Sequence, residues 1–178
     1  MDYEVEQKFR LDDVAGFEAK AQELQLQFGA PIRQLDTYYA HPSRDFAETD
    51  EALRTRSIDD RHFITYKGPR IDAATKTRKE LELPLATTAT EFSDILDAVG
   101  FQVVNSVHKS RRSARYRLDD RQFTIDLDEV DNLGTFVELE TICHKDQVKT
   151  ATASLVRLAT ILDLTDAERR SYLELLFD

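Results

Sequence analysis

One cysteine, five glycines and four histidines are all that 178 residues contain of these types, and each scarcity closes a route to function. A lone Cys143 cannot form an intramolecular disulfide, so it reads as a small buried hydrophobe in a reducing, cytoplasmic protein. None of the glycines falls into G-x-x-x-x-G-K-[ST] or G-x-G-x-x-G, so a glycine-rich backbone cradle for phosphates is excluded. His41, His62, His108 and His144 are dispersed without metal-ligand spacing, and neither a Ser/His nor a Cys/His nucleophile system has support. No apolar run approaches about 18 residues and the first residues are charged, which argues against a signal peptide and a membrane-spanning helix. Basic excess is also missing. The net charge of −10 argues against a general binder of nucleic acid or anionic membranes, leaving room only for a local basic pocket.

What the chain has instead is charge of both signs: 33% of residues are Asp, Glu, Lys or Arg, against about 25% in a typical domain. The length suits one domain, residues 1–178, able to bury roughly 70% of the surface its unfolded form exposes. Alternation predicts strands over 2–11, 33–40, 51–58, 61–68, 76–84, 102–117, 121–130 and 135–143. Helical spacing of Val14, Phe17, Ala21, Leu24 and Phe28 predicts a helix from Asp12 to Phe28, closed by Gly29. Phe92, Ile95, Leu96 and Val99 define a second over 89–99, with Thr88 and Glu91 as a capping box. The tail reads as helical twice, over L-V-R-L-A-T-I-L and again before the end, with Thr165 and Glu168 as a further capping box. Short connections between most strands point to an antiparallel sheet and an α+β class.

Read at period two, one face of each strand is ionic. It carries Glu4, Glu6 and Lys8; Asp36 with Tyr38; Arg54 and Arg56; Lys67; Lys76, Arg78, Glu80 and Glu82; Lys109 and Arg111; Asp126 and Asp128; and Glu138 and Glu140. The opposite faces carry Leu81 and Leu83, Phe123, Ile125 and Leu127, or Val137 and Leu139, which must pack under helices. A solvated sheet face would explain any one strand. Solvent-facing positions normally mix Ser, Thr, Asn and Gln with Lys, however, and here nearly all are fully charged. The alternative is a barrel with a polar interior, which has room for one ligand and needs partners for both signs of charge. A polyanion with Mg²⁺ or Mn²⁺ supplies both: carboxylates hold the ion, while Lys and Arg neutralise phosphate oxygens.

E-V-E-Q-K near the start, followed in order by Q-L-D-T-Y-Y, A-L-R-T-R, T-Y-K-G-P, K-T-R-K-E-L-E, V-H-K-S-R-R, L-D-E-V and L-G-T-F-V-E-L-E, resembles the CYTH family. These are the class IV adenylyl cyclases and thiamine triphosphatases, also called triphosphate tunnel metalloenzymes. The resemblance implies a closed eight-stranded antiparallel β-barrel whose charged interior is a triphosphate tunnel, with helices packed outside. It implies Glu4, Glu6, Asp128, Glu138 and Glu140 as metal ligands, and Lys8, Arg54, Arg56, Lys67, Lys76, Arg78, Lys109 and Arg111 as phosphate contacts. Glu4, Glu6, Lys8, Lys67 and Asp128 form the implied catalytic set, with Glu80 and Glu82 open to either the metal or the ion pairs. The stretches D-T-Y-Y-A-H-P-S-R-D-F-A-E-T-D-E-A-L-R-T-R and R-R-S-Y-L-E-L-L look most like the cyclase branch, which converts ATP to cyclic AMP and pyrophosphate. Hydrolysis of tripolyphosphate or thiamine triphosphate, and non-catalytic capture of a nucleotide or polyphosphate, are the alternatives. The expected partner is thus a small triphosphate, and the expected state a monomer or homodimer. The apolar Tyr172, Leu173, Leu176 and Phe177 could cover the barrel or pair with a second chain.

Overall fold

The computed structural model describes residues 2–70 and 77–177. Its strands are β1 (Asp2–Arg10), β2 (Ile32–Ala40), β3 (Ala52–Ile58), β4 (Arg61–Lys67), β5 (Arg78–Leu85), β6 (Gln102–Leu118), β7 (Arg121–Val130), β8 (Gly134–His144) and the two-residue β9 (Ala167–Glu168). Helices α1 (Val14–Glu23), α2 (Phe46–Thr49), α3 (Ala89–Ala98), α4 (Val148–Ile161) and α5 (Tyr172–Leu175) connect or follow them. The hydrogen-bonded order β5-β4-β3-β2-β6-β7-β8-β1 closes on itself where Tyr3 and Glu4 of β1 pair with Lys79 and Arg78 of β5. Every pairing is antiparallel. The closed eight-stranded barrel of an α+β fold is therefore present. Farther along the same edge of β1, Lys8 and Phe9 pair with Glu168 and Ala167, so β9 takes over where β5 leaves off.

The main core lies outside the barrel wall. Val5, Phe9, Phe123, Ile125, Leu127, Val137 and Leu139 point outward from β1, β7 and β8 and meet Phe17 and Ala21 of α1 and Leu155, Leu158 and Ala159 of α4. Each fully buried Leu, Ile or Phe there contributes about 1.5–3 kcal/mol by leaving water. A smaller cluster of Tyr38, Val107, Val130 and Phe136 receives Tyr172 and Leu175 of α5. The final helix thus packs on its own chain, although Phe177 stays 63% exposed.

Several local expectations are corrected. Helix α1 stops at Glu23, because Gln25 adopts a left-handed φ of +55° and the Leu26 N–H donates back to the Ala21 carbonyl. Gly29 is no cap; its N–H donates to the Ser113 carbonyl across the loop. Leu81 and Leu83 on β5 are 50% and 64% exposed, and α3 buries only Leu96 while leaving Ile95 and Val99 out. Alternation gives the face of a strand but not whether a helix reaches it. The second tail capping box belongs to Ser171 and Glu174, where both reciprocal bonds form; Glu168 lies in β9 and pairs with Arg170. Pro84 sits inside β5 opposite Phe63, on a stretch whose other edge has no β1 partner, so its missing N–H costs no ladder bond.

Candidate active site

The ionic faces point into the barrel. Glu4, Glu6 and Lys8 are only 6%, 8% and 1% exposed, and their neighbour Val5 is fully buried in the outer core, so β1 is covered on both sides. A solvated sheet face is excluded for this strand.

A cavity of about 990 Å³ runs through the interior. Glu4, Glu6, Lys8, Arg54, Arg56, Lys67, Arg78, Lys109, Arg111, Glu138 and Glu140 all line it, as do Glu80 and Glu82. Strand order sets which charges are neighbours. Glu4 and Glu6 on β1 and Glu138 and Glu140 on β8 form an acidic wall, with Glu6 and Glu140 directly opposite each other in the ladder. Arg54 and Arg56 on β3 face them from across the ring, while Lys109 and Arg111 on β6 are separated from β8 only by β7, close enough for Arg111 to pair with Glu138. Lys76 lies outside the described residues.

Five of the basic groups, Arg54, Arg56, Lys67, Lys109 and Arg111, are held by carboxylates behind or beside them. Asp36 on β2 accepts from Arg56 Nε and Nη2 at 2.6 Å each and from Arg54 Nη1 at 3.1 Å. Burial works against the Asp36 charge, but the two guanidinium groups hold its carboxyl well below the usual range. Lys67 Nζ bridges Glu4 Oε2 at 2.9 Å and Glu80 Oε2 at 2.6 Å. Burial opposes the Lys67 charge, yet Glu4 and Glu80 push its pKa upward. Arg111 is the most heavily engaged, donating to Asp128 at 2.6 Å, to Asp126 at 2.5 Å and to Glu138. Lys109 Nζ reaches Asp128 at 2.9 Å, while burial and the nearby Arg111 lower its pKa. Lys8 Nζ sits 3.9 Å from the centre of the Tyr172 ring, a cation–π contact.

Asp128 is fully buried and off the cavity wall; it carries Lys109, Arg111 and the Tyr172 hydroxyl, which donates to it at 2.9 Å. Sequence reasoning gave no role to Asp36, although its period-two position opposite Arg56 carried the signal. The entry of Tyr172 into the ionic network had no such signal, because its neighbours spell an ordinary apolar helix.

The acidic wall is under electrostatic stress. Burial first, then the charges of Glu4 and Glu6, raise the Glu140 carboxyl to about 8, and burial also raises Glu4. In the unfolded chain Glu140 ionises near 4.5, so between pH 4.5 and 8 the fold retains a proton that the unfolded chain has released. Stability of the metal-free protein therefore falls as pH rises through that window. Glu140→Gln is expected to raise the melting temperature over wild type at pH 8 and to leave it unchanged near pH 4.5. Equal shifts at both pH values would show that Glu140 is not strained.

Among the described residues no three Asp, Glu, His or Cys side chains are gathered closely enough to hold an ion as they stand. None of the described helices is long and apolar enough to cross a membrane.

An eight-stranded antiparallel barrel whose inner face carries acidic and basic side chains around one cavity defines a tunnel-type protein. The sequence profile of the CYTH domain matches residues 2–172. A Methanocaldococcus jannaschii protein named "Putative adenylate cyclase" is 36% identical over 97% of both chains. The solved structure of a Pyrococcus horikoshii protein superimposes with a TM-score of 0.86 at 39% identity, covering 98% of each chain. A Vibrio parahaemolyticus structure, named "putative adenylate cyclase", shares the fold at a TM-score of 0.81 and 24% identity, over 99% of this chain and 98% of its own. The chain belongs to the CYTH family.

Proposed function

We propose that this protein is a divalent-metal-dependent enzyme acting on a triphosphate, and that it converts ATP to cyclic AMP and pyrophosphate. The observation that carries the reading is the gathering of both signs of charge on the inner face of a closed barrel around one cavity, since both are then matched by one ligand, a metal-bound polyanion. The cyclase assignment is supported by the name of the Methanocaldococcus jannaschii relative.

The donor set suits a hard cation. Glu4, Glu6 and Glu140 offer only oxygen, and their mutual repulsion is what a bound Mg²⁺ or Mn²⁺ would relieve. Glu138 completes the proposed ligand set on the cavity wall, and Asp128, which lies behind it, would join only by releasing Lys109 and Arg111. When bound, the ion supplies charge neutralisation at phosphate oxygens. Lys8, Arg54, Arg56, Lys67, Lys109 and Arg111, together with Arg78 and Lys76, take the remaining phosphate charge. The carboxylates paired with Arg54, Arg56, Lys67, Lys109 and Arg111 hold those five groups in place, so little reorganisation accompanies the reaction. In that grip the ribose 3′-oxygen attacks the α-phosphorus as its hydroxyl proton passes to water, the bond from that phosphorus to the bridging oxygen breaks, and pyrophosphate departs, with Arg and Lys stabilising the charge that builds on the leaving group.

Incubating the purified protein with ATP, tripolyphosphate and thiamine triphosphate, each with Mg²⁺ or Mn²⁺, tests the assignment. Cyclic AMP and pyrophosphate in equal amounts are expected from ATP. Orthophosphate release would reassign the same residues to a triphosphatase. Binding without turnover of any of the three would mean a sensor and overturn the enzymatic reading.

A further inference from the structure

The ionic walls account for only part of the cavity. Beside the β2–β3 connection its lining includes an apolar and aromatic patch, His41, Pro42, Phe46, Ala47, Leu53 and Val104, next to the charged Arg44 and Glu51. Two features show that this surface is built to a fixed shape. The His41 ring is oriented by its Nδ1, which accepts the N–H groups of Ser43 and Arg44 at 3.1 Å each. In the neutral ring the proton therefore sits on Nε2. Phe101 packs edge-on to that ring at 5.0 Å and Phe46 lies 5.4 Å away, making a three-ring shelf. Arg44, itself on the cavity lining, braces the loop: it lies 5.3 Å from the Phe46 ring centre and pairs with Glu51 at 3.0 Å. Glu51 in turn accepts from the Tyr66 hydroxyl. Behind the shelf, Gly100 has a φ of +96° and Pro42 would lie 3.2 Å from any Cβ there, so only glycine allows this close approach.

The second feature is a β-bulge. Tyr38 pairs with Asn105 and Tyr39 with Val103, which leaves Val104 without a partner on β2. Bulges re-aim side chains, and this one sends Val104 to the cavity lining, where it is 43% exposed. An inorganic polyphosphate offers nothing to cover Val104, Phe46 or the His41 ring. The whole cavity is also at the upper end of the range for ligands carrying a sizeable organic part.

We propose that this shelf is the subsite for the planar heteroaromatic group of an organic triphosphate, and that it selects a nucleoside triphosphate or similar ester over bare tripolyphosphate. The inference rests on the reading that the adjoining ionic tunnel holds the phosphates. It assigns Phe46 and His41 to stacking and Val104 to the edge of the ring.

Calorimetric titration with Mg²⁺ present tests it, using bis-methylene analogues of ATP and of tripolyphosphate in which both bridging oxygens are CH₂ and cannot be cleaved. Phe46→Ala is expected to weaken the ATP analogue about tenfold, the loss of one stacked base contact. The tripolyphosphate analogue should bind as to wild type. Val104→Ser, on a different element, provides an independent variant with the same expected selectivity, and melting curves confirm that both fold. A selective loss seen with thiamine triphosphate in place of the ATP analogue supports the subsite equally and identifies its heterocycle. Equal weakening of both analogues, or no change in either, would overturn the subsite while leaving the tunnel reading intact. If wild type binds neither analogue, the tunnel reading itself fails.

Discussion

Arg111→Ala should destabilise the protein by about 3–5 kcal/mol, because it strands Asp126, Asp128 and Glu138 as buried charges without their shared partner. The adjacent Arg112→Ala should cost less than about 1 kcal/mol, since Arg112 points to the other face and pairs with Glu18 where both side chains are substantially exposed. Two neighbouring arginines differ only because a strand alternates faces. Urea unfolding of both variants at neutral pH reads the contrast directly. Comparable losses in the two would show that the inward ion network does not hold the barrel together.

Lys67→Ala should reduce turnover about 10²–10³-fold, the usual cost of removing one preorganised group that meets developing charge. Lys67 is held on the cavity wall by Glu4 and Glu80, so its loss removes a phosphate contact and also frees two carboxylates to repel the ligand. A fall in kcat at saturating substrate is the signature expected. A rise in KM alone would make Lys67 a binding group and nothing more. Melting curves separate either outcome from unfolding.

The strands were legible because alternation is a strong signal and this chain fills one phase of it almost entirely with charge. The direction of that phase, inward, was readable only because so many buried-type charges of both signs must satisfy one another. Closure itself was not readable from pattern. Among the described residues it rests on Tyr3 with Lys79 and Glu4 with Arg78, joining strands far apart in sequence. The face of a residue was likewise legible where its depth was not. Glu140 reaches the cavity, while Asp128, on the neighbouring strand and sharing its inward face, lies behind Arg111 and the Tyr172 hydroxyl. The end of α1 was missed because Gln25 turns left-handed without a glycine to announce it. Tyr172 does pack as part of an apolar cluster, and its hydroxyl in addition donates to Asp128. The apolar shelf at His41 and Phe46 was opaque for a related reason. Its rings come together through a loop and a bulge, neither of which carries a periodic signature.

Manganese uptake, read from the loss of the free-ion EPR signal, is the most direct test of a metal-bound triphosphate in this tunnel. Wild type should take up Mn²⁺ more tightly when ATP is present, and Glu6→Ala should lose most of that uptake. Mn²⁺ binding that is indifferent to ATP and unchanged in Glu6→Ala would contradict it.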